Sequence, residues 1–163
     1  PELAMLAKYL EGVASYIKSK SDKPVAIAPA LWRGLPADLC GKWFERLFKR
    51  TPSIDNLYLQ DIGGRCLVDF DVDLPNWYAE IKKACDATNV KFGVDIESFK
   101  SCWCPNVDYK AKDWSELKDQ LMVAGLFTKY ITNFSWATFK KGTNNYDGYK
   151  AYLKENNLLP KGK

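Results

Sequence analysis

Histidine is missing from all 163 residues. Ser-His-Asp and Cys-His catalysis are therefore excluded within this chain, as are zinc sites built on imidazole. Acid–base chemistry falls to carboxylates, tyrosine, lysine or cysteine. The five cysteines, Cys40, Cys66, Cys85, Cys102 and Cys104, contain no CxxC pair, and Cys102-Trp103-Cys104 lacks the spacing of a metal knuckle. Cys40 and Cys85 fall in helical patterns as small packing residues; Cys66, Cys102 and Cys104 fall in loops, where the odd count leaves a disulfide undecided. Asp69, Asp71 and Asp73 alternate like part of a calcium loop, but the glycine and terminal glutamate that such a loop needs are lacking. Neither a metal nor a cofactor is expected.

No apolar run approaches the roughly 18 residues needed to span a bilayer. The formal charge is only +4, and the lysines are spread along the helices rather than gathered in one tract, so nucleic acid is not the expected partner. With 47% apolar and 27% charged residues, residues 1–163 read as one soluble globular domain. The chain opens on Pro1 inside a helical pattern, so a preceding segment, with a signal peptide among the options, is expected to have been removed.

What is present repeats in order. Leu3, Leu6, Leu10, Val13 and Ile17 predict an amphipathic helix over 2–19. Strands follow at 25–31, 56–62, 90–99 and 129–137. Between them lie helices with stripes at Leu39, Trp43 and Leu47, at Trp77 and Ile81, and at Trp114, Leu117 and Leu121, where Asp113 and Glu116 form a capping box. A loop rich in Gly and Asn, 141–148, leads to a last helix at 149–156.

Strands alternating with helices argue for a parallel sheet, because each crossover returns the chain to the same end. An open doubly wound sheet normally carries a glycine-rich phosphate loop after its first strand, and Trp32-Arg33-Gly34-Leu35-Pro36 is not one. The polar residues within the strands point instead to a (β/α)8 barrel, whose inward face turns polar towards its carboxyl end. VKFGVDIESF, residues 90–99, places Asp95 and Glu97 on one strand face late in the strand, with Val94 and Ile96 on the other. Gln60 in the second strand, and Asn133 and Ser135 in the fourth, are read on the same inward face, as a hydrogen-bond layer. A whole barrel needs eight strands in about 250 residues. The expected fold is therefore α/β, with four parallel strand-helix units making half a (β/α)8 barrel. It would pair with a missing amino-terminal half or with a second copy of the chain.

KPVAIAPALWRG, NLYLQDIGG, LPNWYAEIKKACDATNVKFGVDIESF and KYITNFSW together resemble the carboxyl-terminal half of an uncharacterised bacterial TIM-barrel family of glycoside-hydrolase type. The resemblance covers residues 24 to about 153, and its most specific pieces are Leu59 to Gly63 and Asp95 to Phe99. It implies a barrel that cleaves or binds carbohydrate, often outside the cytoplasm. The stretch from Phe139 to Asp147, rich in Lys and Asn, departs from the family's aromatic loop.

Glycosidases place two carboxyl groups across the scissile bond. Glu97, nearest the mouth, is the candidate nucleophile or general acid. Asp61, at the end of the neighbouring strand, is its candidate partner, and Asp95 an orienting acid one layer deeper. Trp32, Trp103 and Trp136, at or just after strand ends, are candidates for stacking on sugar rings, or else core and loop-anchoring residues. The alternative is a non-catalytic module that binds polysaccharide or supports an assembly, its acid pair incomplete.

Overall fold

In a computed structural model of the chain, residues 2–30, 36–61, 73–100, 110–134 and 136–158 are described, the last without the side chain of Trp136. Helix α1 (Glu2–Lys20) precedes β1 (Ala26–Ile27), followed by α2 (Ala37–Phe48), β2 (Asn56–Gln60), α3 (Asp73–Ala87) and β3 (Lys91–Glu97). A small ribbon, β4 (Phe99–Lys100) with β5 (Lys110–Ala111), leads to α4 (Trp114–Gly125), β6 (Ile131–Phe134), a 3-10 turn (Trp136–Thr138) and α5 (Asn144–Glu155).

The main sheet runs β1-β2-β3-β6, every pair parallel. Its edges, β1 and β6, are open among the described residues. β-Branched and aromatic residues make the central strand: in β3, Phe92, Val94 and Ile96 are buried against the helices, joined from β2 by Leu57 and Leu59, both 0% exposed. From α3, Tyr78 meets Phe92 and Phe127 edge-on, with ring centroids 6.0 and 5.7 Å apart. Each helix contacts the next along the chain, so the helices form one layer on one side of the sheet. A doubly wound sheet would have helices on both faces. Here the other face carries Tyr58, Gln60, Asp95, Thr132 and Phe134, partly or largely exposed.

Three expectations change. The packed face of α1 is Ala7 and Ala14, flanked by Leu3 and Leu10, whereas Leu6, Val13 and Ile17 are 38%, 42% and 39% exposed. Leu3 and Leu10 thus face the layer with the two alanines, and Leu6, Val13 and Ile17 are turned outward. In α2 the buried stripe is Cys40, Phe44, Leu47 and Phe48, while Leu39 is exposed. The stretch read as a loop over 141–148 begins α5 at Asn144, because its asparagines have structural partners. Asn144 Oδ1 accepts the first N–H of α4, from Trp114, at 2.7 Å. Asn145, 0% exposed, donates to the carbonyls of Ser98 at 3.2 Å and Thr138 at 2.9 Å. Gly148 leaves room for the Trp114 side chain, which a Cβ would meet at 2.3 Å. The Asp113 N–H donates to Glu116 at 3.1 Å, as expected of a helix start.

Candidate functional site

Register decides what shares a face with the two acids. Asp95 lies beside Gln60 on β2 and Thr132 on β6, and Glu97 lies beside Phe134. Adjacent residues of a parallel pair point the same way, so Gln60, Asp95, Thr132, Glu97 and Phe134 stand on the face away from the helices, at the carboxyl end of the strands. The Thr132 hydroxyl donates to Asp95 Oδ1 at 2.9 Å, fixing one carboxylate oxygen and leaving Asp95 half-buried. Glu97 is only 4% exposed. The Phe134 ring is 48% exposed and meets the edge of Phe99, with centroids 5.9 Å apart.

Two residues expected on this face are elsewhere. Asn133 pairs in register with Ile96 and so faces the helices, where its Oδ1 is buried with no hydrogen-bond partner among the described residues. The fourth strand had been read one residue out of phase: Thr132 and Phe134, not Asn133, share the acid face. The run Tyr130-Ile131-Thr132-Asn133-Phe134 mixes apolar and polar residues at both phases, so alternation alone could not settle it. Phe134 is the site residue that the sequence did not single out; a ring at the strand end beside Glu97 was its only signal.

Asp61 is the second correction. Its N–H donates to the Asp95 carbonyl at 3.3 Å, which continues the ladder and puts its side chain in phase with Leu57 and Leu59, towards the helices. It is 0% exposed. Its Oδ1 accepts the main-chain N–H of Glu97 at 3.3 Å, and its Oδ2 accepts from Nε2 of Gln120 on α4. Gln120 Oε1 in turn accepts from Lys112 Nζ at 2.7 Å. Tyr78 adjoins the same carboxylate. Burial, reinforced by the negative charge of Asp61, raises the pKa of its phenol far above the ordinary value. The Tyr78 hydroxyl reaches no partner in good hydrogen-bond geometry among the described residues. Asp61 therefore does not face Glu97 across a cleft.

Trp32, Trp103 and Ser135, and the side chain of Trp136, lie outside the described residues, as do Cys66, Cys102, Cys104, Asp69 and Asp71. Asp73 opens the first turn of α3. Among the described residues no cluster of Asp, Glu or Cys is arranged to hold a metal ion, and no helix is long and apolar enough to cross a membrane. A groove of about 690 Å³ lies at the opposite, amino end of the sheet, lined by Asp55, Lys82, Asp86, Lys91, Lys129 and Tyr130 among others. It is remote in register from Glu97 and takes no part in the acid site.

No family model matches the sequence, and no curated protein matches it. The resemblance to the uncharacterised barrel family thus stands without a matching family model. Among solved structures, the chain superposes on one described as a "putative alpha-L-fucosidase" from Bacteroides thetaiotaomicron VPI-5482, with a TM-score of 0.75 at 16% identity. The match covers 94% of this chain and 50% of that one, so the chain spans about half the length of that structure. The likeness is one of fold alone.

Proposed function

We propose that the chain carries one half of a carbohydrate-cleaving site, with Glu97 as nucleophile or general acid and Asp95 as the acid that orients it. The observation that carries this reading is the placement of Asp95 and Glu97 together on the helix-free face, at the carboxyl end where α/β proteins place their sites. Fixed by Thr132, Asp95 lies beneath Glu97 on the same strand face. Phe134 offers an apolar ring beside Glu97 on which the C–H face of a sugar can stack, and Gln60 a polar edge. The fold likeness to a protein described as a fucosidase supports a glycoside as substrate. An extracytoplasmic setting belongs to the same reading.

The site is completed by another set of strands. Among the described residues the sheet has helices on one face only and two open edges, and closure into a (β/α)8 barrel would pair those edges and cover the other face. Among the described residues the chain brings five helices to four sheet strands, with α1 packed beside α2 and α5 beside α4. A second copy would crowd two helices onto each seam. The complement that fits has fewer helices than strands and supplies the carboxyl group opposite Glu97, now that Asp61 is turned away. Met5, Tyr9 and Tyr16 on α1, 66%, 68% and 66% exposed, form an apolar stripe along one seam.

The non-catalytic alternative draws on that turn of Asp61, which removes the second acid this chain was expected to supply. Hydrolysis of 4-nitrophenyl glycosides, the α-L-fucoside included, by the chain joined to a closing half separates the two. Turnover abolished by Glu97→Gln in a folded protein supports the hydrolase. Unchanged turnover excludes Glu97, and sugar binding without turnover selects the binding module.

A further inference from the structure

Asp61, Gln120 and Lys112 are 0%, 1% and 2% exposed, and a buried carboxylate persists only where partners replace its water. Lysine only donates and a carboxylate only accepts, so the Gln120 amide between them has a single workable orientation: Oε1 towards Lys112 and Nε2 towards Asp61. The neutral amide thereby carries the attraction of a cation to an anion across a distance that the two side chains do not close directly. The other oxygen of Asp61 takes the main-chain N–H of Glu97 at 3.3 Å. One residue further on, the Ser98 N–H donates to the Phe134 carbonyl at 2.8 Å, and the Ser98 carbonyl accepts the Lys112 N–H at 3.0 Å. Lys112 thus grips this strand end twice, through its ammonium by way of Gln120 and Asp61, and through its own main chain.

We propose that Asp61 is a positioning residue: braced from α4 through Gln120 and Lys112, it holds the main-chain N–H of Glu97 and sets the direction in which Glu97 leaves the sheet. This rests on the reading of Glu97 as the working acid. It gives a different role to the residue that the sequence offered as second acid, because its carboxyl oxygens are both taken by hydrogen bonds deep in the helical layer. Among the described residues, the groups facing it include Tyr78 from α3, Gln120 from α4, Lys112 ahead of α4 and the Glu97 main chain.

The test uses the isotopically labelled chain carrying Glu97→Gln, in which position 97 has no titrating carboxyl of its own. The amide signal of position 97 and the Asp61 carboxyl carbon are expected to titrate with one shared midpoint. Gln120→Leu, judged folded by its other amide signals, is expected to move the position-97 amide while signals of α1 stay in place. A position-97 amide indifferent to Asp61 ionisation overturns the proposal, and that measurement stands even where Gln120→Leu fails to fold. In a preparation that hydrolyses a 4-nitrophenyl glycoside, Gln120→Leu is expected to lower kcat about a hundredfold with KM little changed, as displacement of a reacting group does. A fall in stability with kcat intact reduces Asp61 to a fold element. A shared titration without any wild-type turnover sinks the hydrolase reading and retains the brace.

Discussion

Asp61 and Glu97 leave the sheet on opposite faces, although Asp61 Oδ1 accepts the Glu97 N–H at 3.3 Å. Contact in this pair runs from side chain to backbone, so the two carboxylates are divided by the strand that joins them. Glu97 stands on the face away from the helices, 4% exposed and with Asp95 below it, and Asp61 is enclosed by α3 and α4.

Phe134 and Asn133 are neighbours in sequence and opposites in role. Phe134→Ala is expected to raise KM for an aryl glycoside about tenfold, the loss of one stacking contact of about 1.4 kcal/mol, with thermal stability little changed. Asn133→Val is expected to leave KM unchanged and to hold or raise the melting temperature, because it removes a buried acceptor that has no partner among the described residues. Kinetics and a melting curve on both variants check this; a larger KM effect from Asn133→Val would restore the opposite strand phase.

Two helical glycines should respond oppositely to alanine. At Gly148 a Cβ meets Trp114 side-chain atoms at 2.3 to 2.7 Å, so Gly148→Ala should cost about 1–3 kcal/mol through overpacking between α4 and α5. At Gly12, within α1, nothing lies within 4 Å of the added atom, so Gly12→Ala should gain about 0.5–1 kcal/mol from helix propensity. Urea denaturation of both reads the signs.

Burial pushes the Cys85 thiol up to about 12, with the nearby Asp86 charge adding to it and Lys82 opposing. In the unfolded chain the thiol ionises near its ordinary value of about 8.5. Its contribution to stability is therefore whole below that pH and is lost as pH rises towards about 12, since only the unfolded state gains the thiolate. Cys85→Ala should flatten the alkaline limb of the stability curve. Peptide mapping after iodoacetamide at pH 8 should find Cys40 and Cys85 unlabelled in the native chain and labelled in denaturant.

Five helices on four sheet strands among the described residues argue against self-closure. Sedimentation equilibrium of the 163-residue chain should show no discrete dimer as concentration rises. A compact dimer whose amide exchange protects both Ala26–Ile27 and Ile131–Phe134 would instead establish a barrel of two identical halves.

Much of the architecture was legible because strands and helices have different periods. The order of elements, the parallel sheet and the shared face of Asp95 and Glu97 all follow from alternation along residues with strong preferences, such as Phe92, Val94 and Ile96. Legibility failed where a phase was degenerate or a partner distant. Asn133 and Phe134 look interchangeable without the register to β3. Asp61 lies two residues past Leu59 and so keeps the phase of the apolar pair Leu57 and Leu59, and its burial depends on Gln120 and Lys112, far along the chain. Asn144 and Asn145 looked like loop residues because asparagine favours turns; the carbonyl of Ser98 and the N–H of Trp114, which they satisfy, are invisible in local sequence.

Asn145 links the last helix to the acid strand, since one buried amide holds both the Ser98 carbonyl just past Glu97 and the Thr138 carbonyl. A cut by protease near Gly142, or an engineered stop ahead of Asn144, would therefore do more than shorten a tail. It would release the latch on the strand that carries Glu97, so loss of α5 should be felt as disorder at the carboxyl end of β3 before the rest of the sheet gives way.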